Sequence, residues 1–213
     1  MITESLLKNK IIVVLRNIEP ANAPAVLEAL YNGGIRFAEF AFDYTGNVPD
    51  AETAKIIEKA AKQFGGKMHI GGGTVLTKKQ VKLIKAAGGE FAVSPNTNSK
   101  IIKYTKKLGL LSVPGAQTVS EIVEAHTSGA DFIKLFPASA LSPQYFKDVL
   151  TPLAGLKLLA VGGVTPLNIK EFINCGAVGA GISSGIVTPE LVNGGEFETV
   201  KNNARQYVDL LGK

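Results

Sequence analysis

Residues 157–185 read KLLAVGGVTPLNIKEFINCGAVGAGISSG. A short apolar run ends at the pair Gly162-Gly163. An amphipathic stretch follows and stops at Gly176, and a second short run, GAGISSG (179–185), comes next. Strand, loop, helix, glycine and strand make one β/α unit. Neither short run alternates polar with apolar residues. Strands buried on both faces have this composition, and such strands belong to parallel sheets.

The same pattern extends in both directions. Six further runs match the two above: IIVVLR (11–16), RFAEFAF (36–42), KMHIGGG (67–73), EFAVSP (90–95), LLSVPGA (110–116) and DFIKLFP (131–137). Between most of them lie stretches of helical period, each closed by a glycine: Gly34, Gly66, Gly88, Gly109, Gly129 and Gly176. A residue just past a helix often needs the left-handed conformation, which glycine adopts at least cost. Eight units in series predict an α/β fold, a (β/α)8 TIM barrel formed as a single domain over residues 1–213. An open doubly wound sheet is the alternative. MITESLLKNK at the start predicts a short helix covering the bottom of the barrel, and EFETVKNNARQYVDLLGK at the end predicts the closing helix.

Composition narrows the function. The chain is 46% hydrophobic and 19% charged with a formal net charge of +5, and its basic residues are dispersed. A nucleic-acid binder gathers them on one face or arm, so no nucleic-acid partner is expected. No run approaches the roughly 18 apolar residues that span a bilayer, nor the apolar core of a signal peptide, so a soluble cytoplasmic protein is expected. The single cysteine, Cys175, permits no internal disulfide and reads as a small buried apolar residue. His69 and His126 have no Asp, Glu or Cys at ligand spacing, so no metal is expected, with Asp43 the one nearby carboxylate that bears on that reading.

Two strands carry a charge where the fold should be dry. Lys134 in DFIKLFP is flanked by apolar residues. A buried ammonium lowers its pKa, and the neutral amine is a nucleophile toward ketones. Glu39 in RFAEFAF is flanked likewise, and strand 2 lies across a barrel from strand 6, so the carboxyl can face the amine and shuttle protons. A structural ion pair with Arg16 or Lys134 is the competing reading of Glu39. The loops after strands 7 and 8 offer Gly162, Gly163, Ser183 and Ser184 to an anion, with the helix that starts near Pro166 pointing its positive end there. Thr74 binds a carboxylate or caps the next helix. Arg16 ends strand 1 at the rim and can fork onto a carboxylate.

These residues resemble the 2-keto-3-deoxy-6-phosphogluconate (KDPG) aldolases, which also act as 4-hydroxy-2-oxoglutarate (KHG) aldolases. The likeness runs nearly end to end: GGIRFAEF, GGGTVLTKKQ, FAVSP, VPGAQTVSE, FIKLFPA, VGGVTPLN and ISSG. It implies a class I aldolase acting on a 2-keto-3-deoxy-6-phospho sugar acid, with pyruvate held as a Schiff base on Lys134 and Glu39 as the proton carrier. Thr74, Pro95, Phe136, Gly162, Gly163, Ser183 and Ser184 fall on its substrate positions. It further implies a homotrimer and no cofactor. VLR resembles the related phosphogalactonate aldolases, in which the arginine, here Arg16, is an active-site residue. Two positions depart from the phosphogluconate pattern: Asp43 stands where an arginine is usual, and Val161 where a threonine is usual. Arg16 can take over the carboxylate, or the substrate differs, in which case Asp43 accepts a hydroxyl or a cationic group. A related 2-oxo-acid aldolase, a sugar-phosphate isomerase or epimerase, and a sugar-phosphate-binding barrel without activity are the other readings.

Overall fold

All eight apolar runs become parallel strands of one sheet in the computed structural model, which describes residues 1–212. The strands are β1 (Ile11–Leu15), β2 (Phe37–Ala41), β3 (His69–Gly73), β4 (Phe91–Val93), β5 (Leu111–Val113), β6 (Gly115–Ala116), β7 (Ile133–Leu135), β8 (Leu158–Val161) and β9 (Gly179–Ile182). Their order is β5-β4-β3-β2-β1-β9-β8-β7-β6. β5 and β6 are two halves of the single predicted run 110–116, divided at Pro114, which has no N–H to give a ladder. The first half pairs with β4 and the second with β7, so the sheet closes into a barrel through this bend. The carbonyl of Val113 accepts from the Ser94 N–H at 3.1 Å on one side, and that of Pro114 accepts from the Lys134 N–H at 2.9 Å on the other.

Helices α1 (Ile2–Asn9), α2 (Ala23–Asn32), α3 (Asp50–Phe64), α4 (Lys78–Ala86), α5 (Ser99–Lys107), α6 (Val119–Thr127), α7 (Pro143–Leu150), α8 (Ile169–Asn174), α9 (Pro189–Asn193) and α10 (Phe197–Leu210) complete the chain. The glycines at 34, 66, 88, 109, 129 and 176 all have positive φ, between 72° and 102°. α7 has no counterpart in the sequence reading. It is short, and buries only Phe146 and Val149.

Side-chain alternation builds two cores. Ile12, Phe37, Phe91, Leu111, Phe132 and Leu159 fill the barrel interior, and Leu6 of α1 seals its lower end. The outward positions, such as Val13, Ala38, Phe40, Ile133, Leu135 and Ala160, pack under the helices. At the lower end His69 Nδ1 lies 2.9 Å from Glu90 Oε2 and Nε2 lies 3.0 Å from Ser5 Oγ, which fastens α1 to the sheet. His126 is exposed on α6, and Cys175 is half-buried just after α8 rather than fully buried. Among the described residues no helix is long and apolar enough to cross a membrane.

Candidate active site

Strand parity turns Glu39 the same way as Phe37, and Lys134 the same way as Phe132, so both side chains enter the barrel above its apolar filling. Lys134 is 4% exposed and Glu39 2%. Among the described residues neither forms an ion pair within 4.0 Å, and Glu39 Oε2 has no hydrogen-bond partner. The structural ion pair is therefore absent. The Lys134 ammonium nitrogen stands 4.6 Å from the centroid of the Phe136 ring.

Burial decides the charge state of both groups. It pushes the Glu39 carboxyl up to about 7, although Lys134 and, less strongly, Arg16 pull it down. It lowers Lys134 below the usual lysine range, with Glu39 opposing and Arg16 adding to the effect. Each group is thereby biased toward its neutral form: an amine with a free lone pair, and an acid that can give or take a proton near neutrality.

β3 makes room for the acid. A Cβ on Gly73 would lie 2.6 Å from Glu39 Oε1, and a Cβ on Gly71 would lie 2.7 Å from the Phe91 ring. On the outer face a Cβ on Gly72 would lie 2.5 Å from Ile84. The run Gly71-Gly72-Gly73 is thus the space that three large neighbours need, a role that the sequence reading did not assign. Thr74 follows at φ 55° and Asn17, after β1, at φ 54°. For a β-branched residue such a φ costs on the order of 1–3 kcal/mol and is held only by its surroundings. Thr74 does not cap α4: Thr77 does, its hydroxyl accepting from the Gln80 N–H.

Two cavities open at the C-terminal ends of the strands. The smaller, about 240 Å³, is lined by Arg16, Asn17, Thr74, Asp43 and Tyr44 among others. The larger, about 430 Å³, is lined by Val14, Phe136, Val161 and the loops after β8 and β9. Arg16 borders both and has no hydrogen-bond or ion-pair partner among the described residues. A third cavity, of about 610 Å³, lies at the opposite end beside α1, far from these groups.

Asp43 differs from its sequence reading. Its oxygens accept from the Thr45 N–H and hydroxyl and from the Val48 N–H, at 2.7–2.9 Å. These bonds, that from Thr45 first, hold the carboxyl below the usual range. The loop thus takes up most of the carboxyl's acceptor capacity, although Asp43 still lines the smaller cavity. Pro95, like Lys134 and Glu39, lines neither rim cavity, and its carbonyl occupies the space where a Cβ on Gly115 would lie, at the division of the fifth strand.

In the larger cavity Gly162 and Gly163 have φ 89° and 75°, and a Cβ on Gly163 would lie 2.5 Å from Ser139. The N–H groups of Gly163, Val164, Ser184 and Gly185 have no partner among the described residues. Regular helix begins at Ile169 rather than near Pro166, and α8 is only six residues long. The Thr165 N–H is already taken by Asn168 Oδ1 at 2.8 Å. The loop amides, more than a helix end, therefore offer positive charge to an anion. Ser183 donates to the Val14 carbonyl at 3.1 Å, which leaves Ser184, exposed and unbonded, as the available hydroxyl. Tyr207 of α10 also reaches this cavity, which nothing in its helical spacing announced.

Comparison with known proteins agrees with this geometry. A family model described as KDPG and KHG aldolase matches residues 2–203. The 2-dehydro-3-deoxy-6-phosphogalactonate aldolase of Escherichia coli (strain K12) is 35% identical over 178 residues, 83% of this chain and 84% of the relative. The 2-dehydro-3-deoxy-phosphogluconate aldolase of Treponema pallidum (strain Nichols) is 28% identical, covering 99% of this chain and 98% of the relative. The crystal structure of KDPG aldolase from Legionella pneumophila, with pyruvate captured as a covalent carbinolamine intermediate, superposes with a TM-score of 0.86 at 26% identity, covering 96% of this chain and 97% of that one. The chain belongs to the KDPG and KHG aldolase family of carbon–carbon lyases.

Proposed function

We propose that this chain is a class I aldolase that reversibly cleaves a 2-keto-3-deoxy-6-phospho sugar acid into pyruvate and an aldehyde such as glyceraldehyde 3-phosphate. The observation that carries the proposal is Lys134: a lysine biased toward the free amine inside an apolar barrel, with Glu39 as the one buried acid among the described residues. Lys134 attacks the C2 ketone, and Glu39 protonates the departing hydroxyl, so that water leaves and a protonated imine remains. A base removes the proton from the C4 hydroxyl and the C3–C4 bond breaks. Its electrons pass into the imine, giving an enamine and the free aldehyde. Protonation at C3 and hydrolysis then release pyruvate and restore the amine. Because Glu39 is held near neutrality, it can donate in one step and accept in the next.

Arg16 and Thr74 hold the carboxylate beside the smaller cavity, and the amides of Gly163, Val164, Ser184 and Gly185 with the Ser184 hydroxyl hold the phosphate in the larger one. The galactonate-type acid is favoured over the gluconate epimer by Arg16 and Val161, and by the higher identity to the phosphogalactonate relative. Pyruvate release from both epimers, each with and without its phosphate, tests the reading. The galactonate phosphate is expected to react with the highest kcat/KM and to lose at least about 100-fold without its phosphate. Absence of pyruvate from every member of the panel contradicts the reading. A homotrimer is proposed from the family resemblance, and sedimentation of the pure protein tests it.

A further inference from the structure

Tyr207 lies on the closing helix, some distance along the chain from every residue proposed for chemistry, yet it is 1% exposed and borders the larger rim cavity. Its hydroxyl donates to the Val164 carbonyl, in the loop after β8, at 3.3 Å. The same oxygen fills the space beside Gly185, in the loop after β9, where a Cβ would overlap it. One side chain thus touches both loops whose unpaired amides are proposed to hold the phosphate. Burial raises its pKa above the ordinary tyrosine range, so it remains a donor at any physiological pH.

We infer that Tyr207 is a positioning residue for phosphate: its hydroxyl fixes the spacing between the Gly163-Val164 and Ser184-Gly185 amides without itself touching the ligand. The inference rests on the reading of this cavity as the phosphate subsite and adds the device that sets its geometry. Gly185 is the matching half of that device. Its φ is not in the left-handed region, so alanine is excluded there by the tyrosine oxygen rather than by the backbone. In a Tyr207→Phe chain that oxygen is gone, and the next atom, Cζ, lies 3.2 Å from the added Cβ, close enough to require only a small shift.

The test measures binding of inorganic phosphate to the intact protein, KM and kcat with the phosphorylated substrate, and borohydride trapping of pyruvate. Tyr207→Phe is expected to weaken phosphate binding and raise KM by about 5- to 10-fold, the size of one lost hydrogen bond, with kcat and pyruvate trapping unchanged. Gly185→Ala is expected to weaken phosphate binding by more than Tyr207→Phe does, and the double variant Gly185→Ala/Tyr207→Phe is expected to bind like Tyr207→Phe alone. Wild-type affinity in Tyr207→Phe, or additive losses in the double variant, would overturn the inference and leave the phosphate reading intact. Failure of the wild-type protein to bind phosphate would overturn both. Loss of pyruvate trapping in Tyr207→Phe would mark a general structural role and also overturn the inference.

Discussion

A carboxyl at position 39 is kept where charge is costly, and two consequences can be measured. As a proton carrier, Glu39 should contribute about 10²- to 10⁴-fold to kcat, which Glu39→Gln removes. The kcat/KM–pH profile of the wild-type protein should bend near pH 7, and that bend should vanish in the variant. Stability follows with a definite sign. The carboxyl titrates at its ordinary 4.5 in the unfolded chain and at about 7 in the folded one. Between those values the unfolded chain has released a proton that the folded chain retains. Stability therefore falls as pH rises through this window, by up to about 3 kcal/mol. Glu39→Gln does not titrate, so its denaturant-derived stability relative to wild type should rise between pH 4.5 and 7.5. To first order, the comparison cancels what Lys134 contributes. An unchanged difference would mean an unperturbed carboxyl. The burial of Lys134 and Glu39 was legible from the sequence alone, because a charge within an apolar strand is conspicuous there. The fate of Asp43 was not, since its partners belong to a turn whose hydrogen bonds the residue pattern does not encode.

Among the elements, β3 shows most clearly how backbone makes room for chemistry. Gly73→Ala is sterically an attack on Glu39, because the new Cβ meets the carboxylate. It should lower kcat by on the order of 100-fold, comparable to a misplaced general acid, and destabilise the fold by about 1–3 kcal/mol through overpacking. Steady-state kinetics and denaturant unfolding check the two effects separately. Gly109, exposed after α5 with nothing near its Cβ position and a φ of 72°, gives the control: Gly109→Ala should cost about 1–2 kcal/mol of stability through backbone strain and leave kcat unchanged. The order of strands and helices could be read from the sequence because apolar runs and terminal glycines recur with the β/α period. The division at Pro114, the short helix α7, the cap at Thr77 and the late start of α8 could not. Each depends on which neighbour a backbone group meets, and short elements carry too few residues for periodicity to speak.

The molecule as a whole separates stability from chemistry along the barrel axis. Leu6, His69, Ser5 and Glu90 hold the lower end, while the Glu39 carboxyl reaches Gly73, the last residue of β3, toward the upper end. Leu6→Ala should cost about 2–5 kcal/mol in unfolding free energy yet leave kcat/KM within about twofold at a temperature where the variant stays folded. A large loss of kcat/KM in the folded variant would show that the two ends are coupled. Closure of the barrel was legible as eight units in series, whereas the meeting of α10 with both upper loops required the fold itself, because Tyr207 looks like any core residue of an amphipathic helix. The account as a whole depends on Lys134 acting as a free amine toward a ketone. Incubation with pyruvate and borohydride, followed by mass mapping of the protein, measures this directly. The expected result is one reduced pyruvate adduct, located on Lys134 and absent from Lys134→Met. No adduct, or an adduct on another lysine that persists in Lys134→Met, would contradict it.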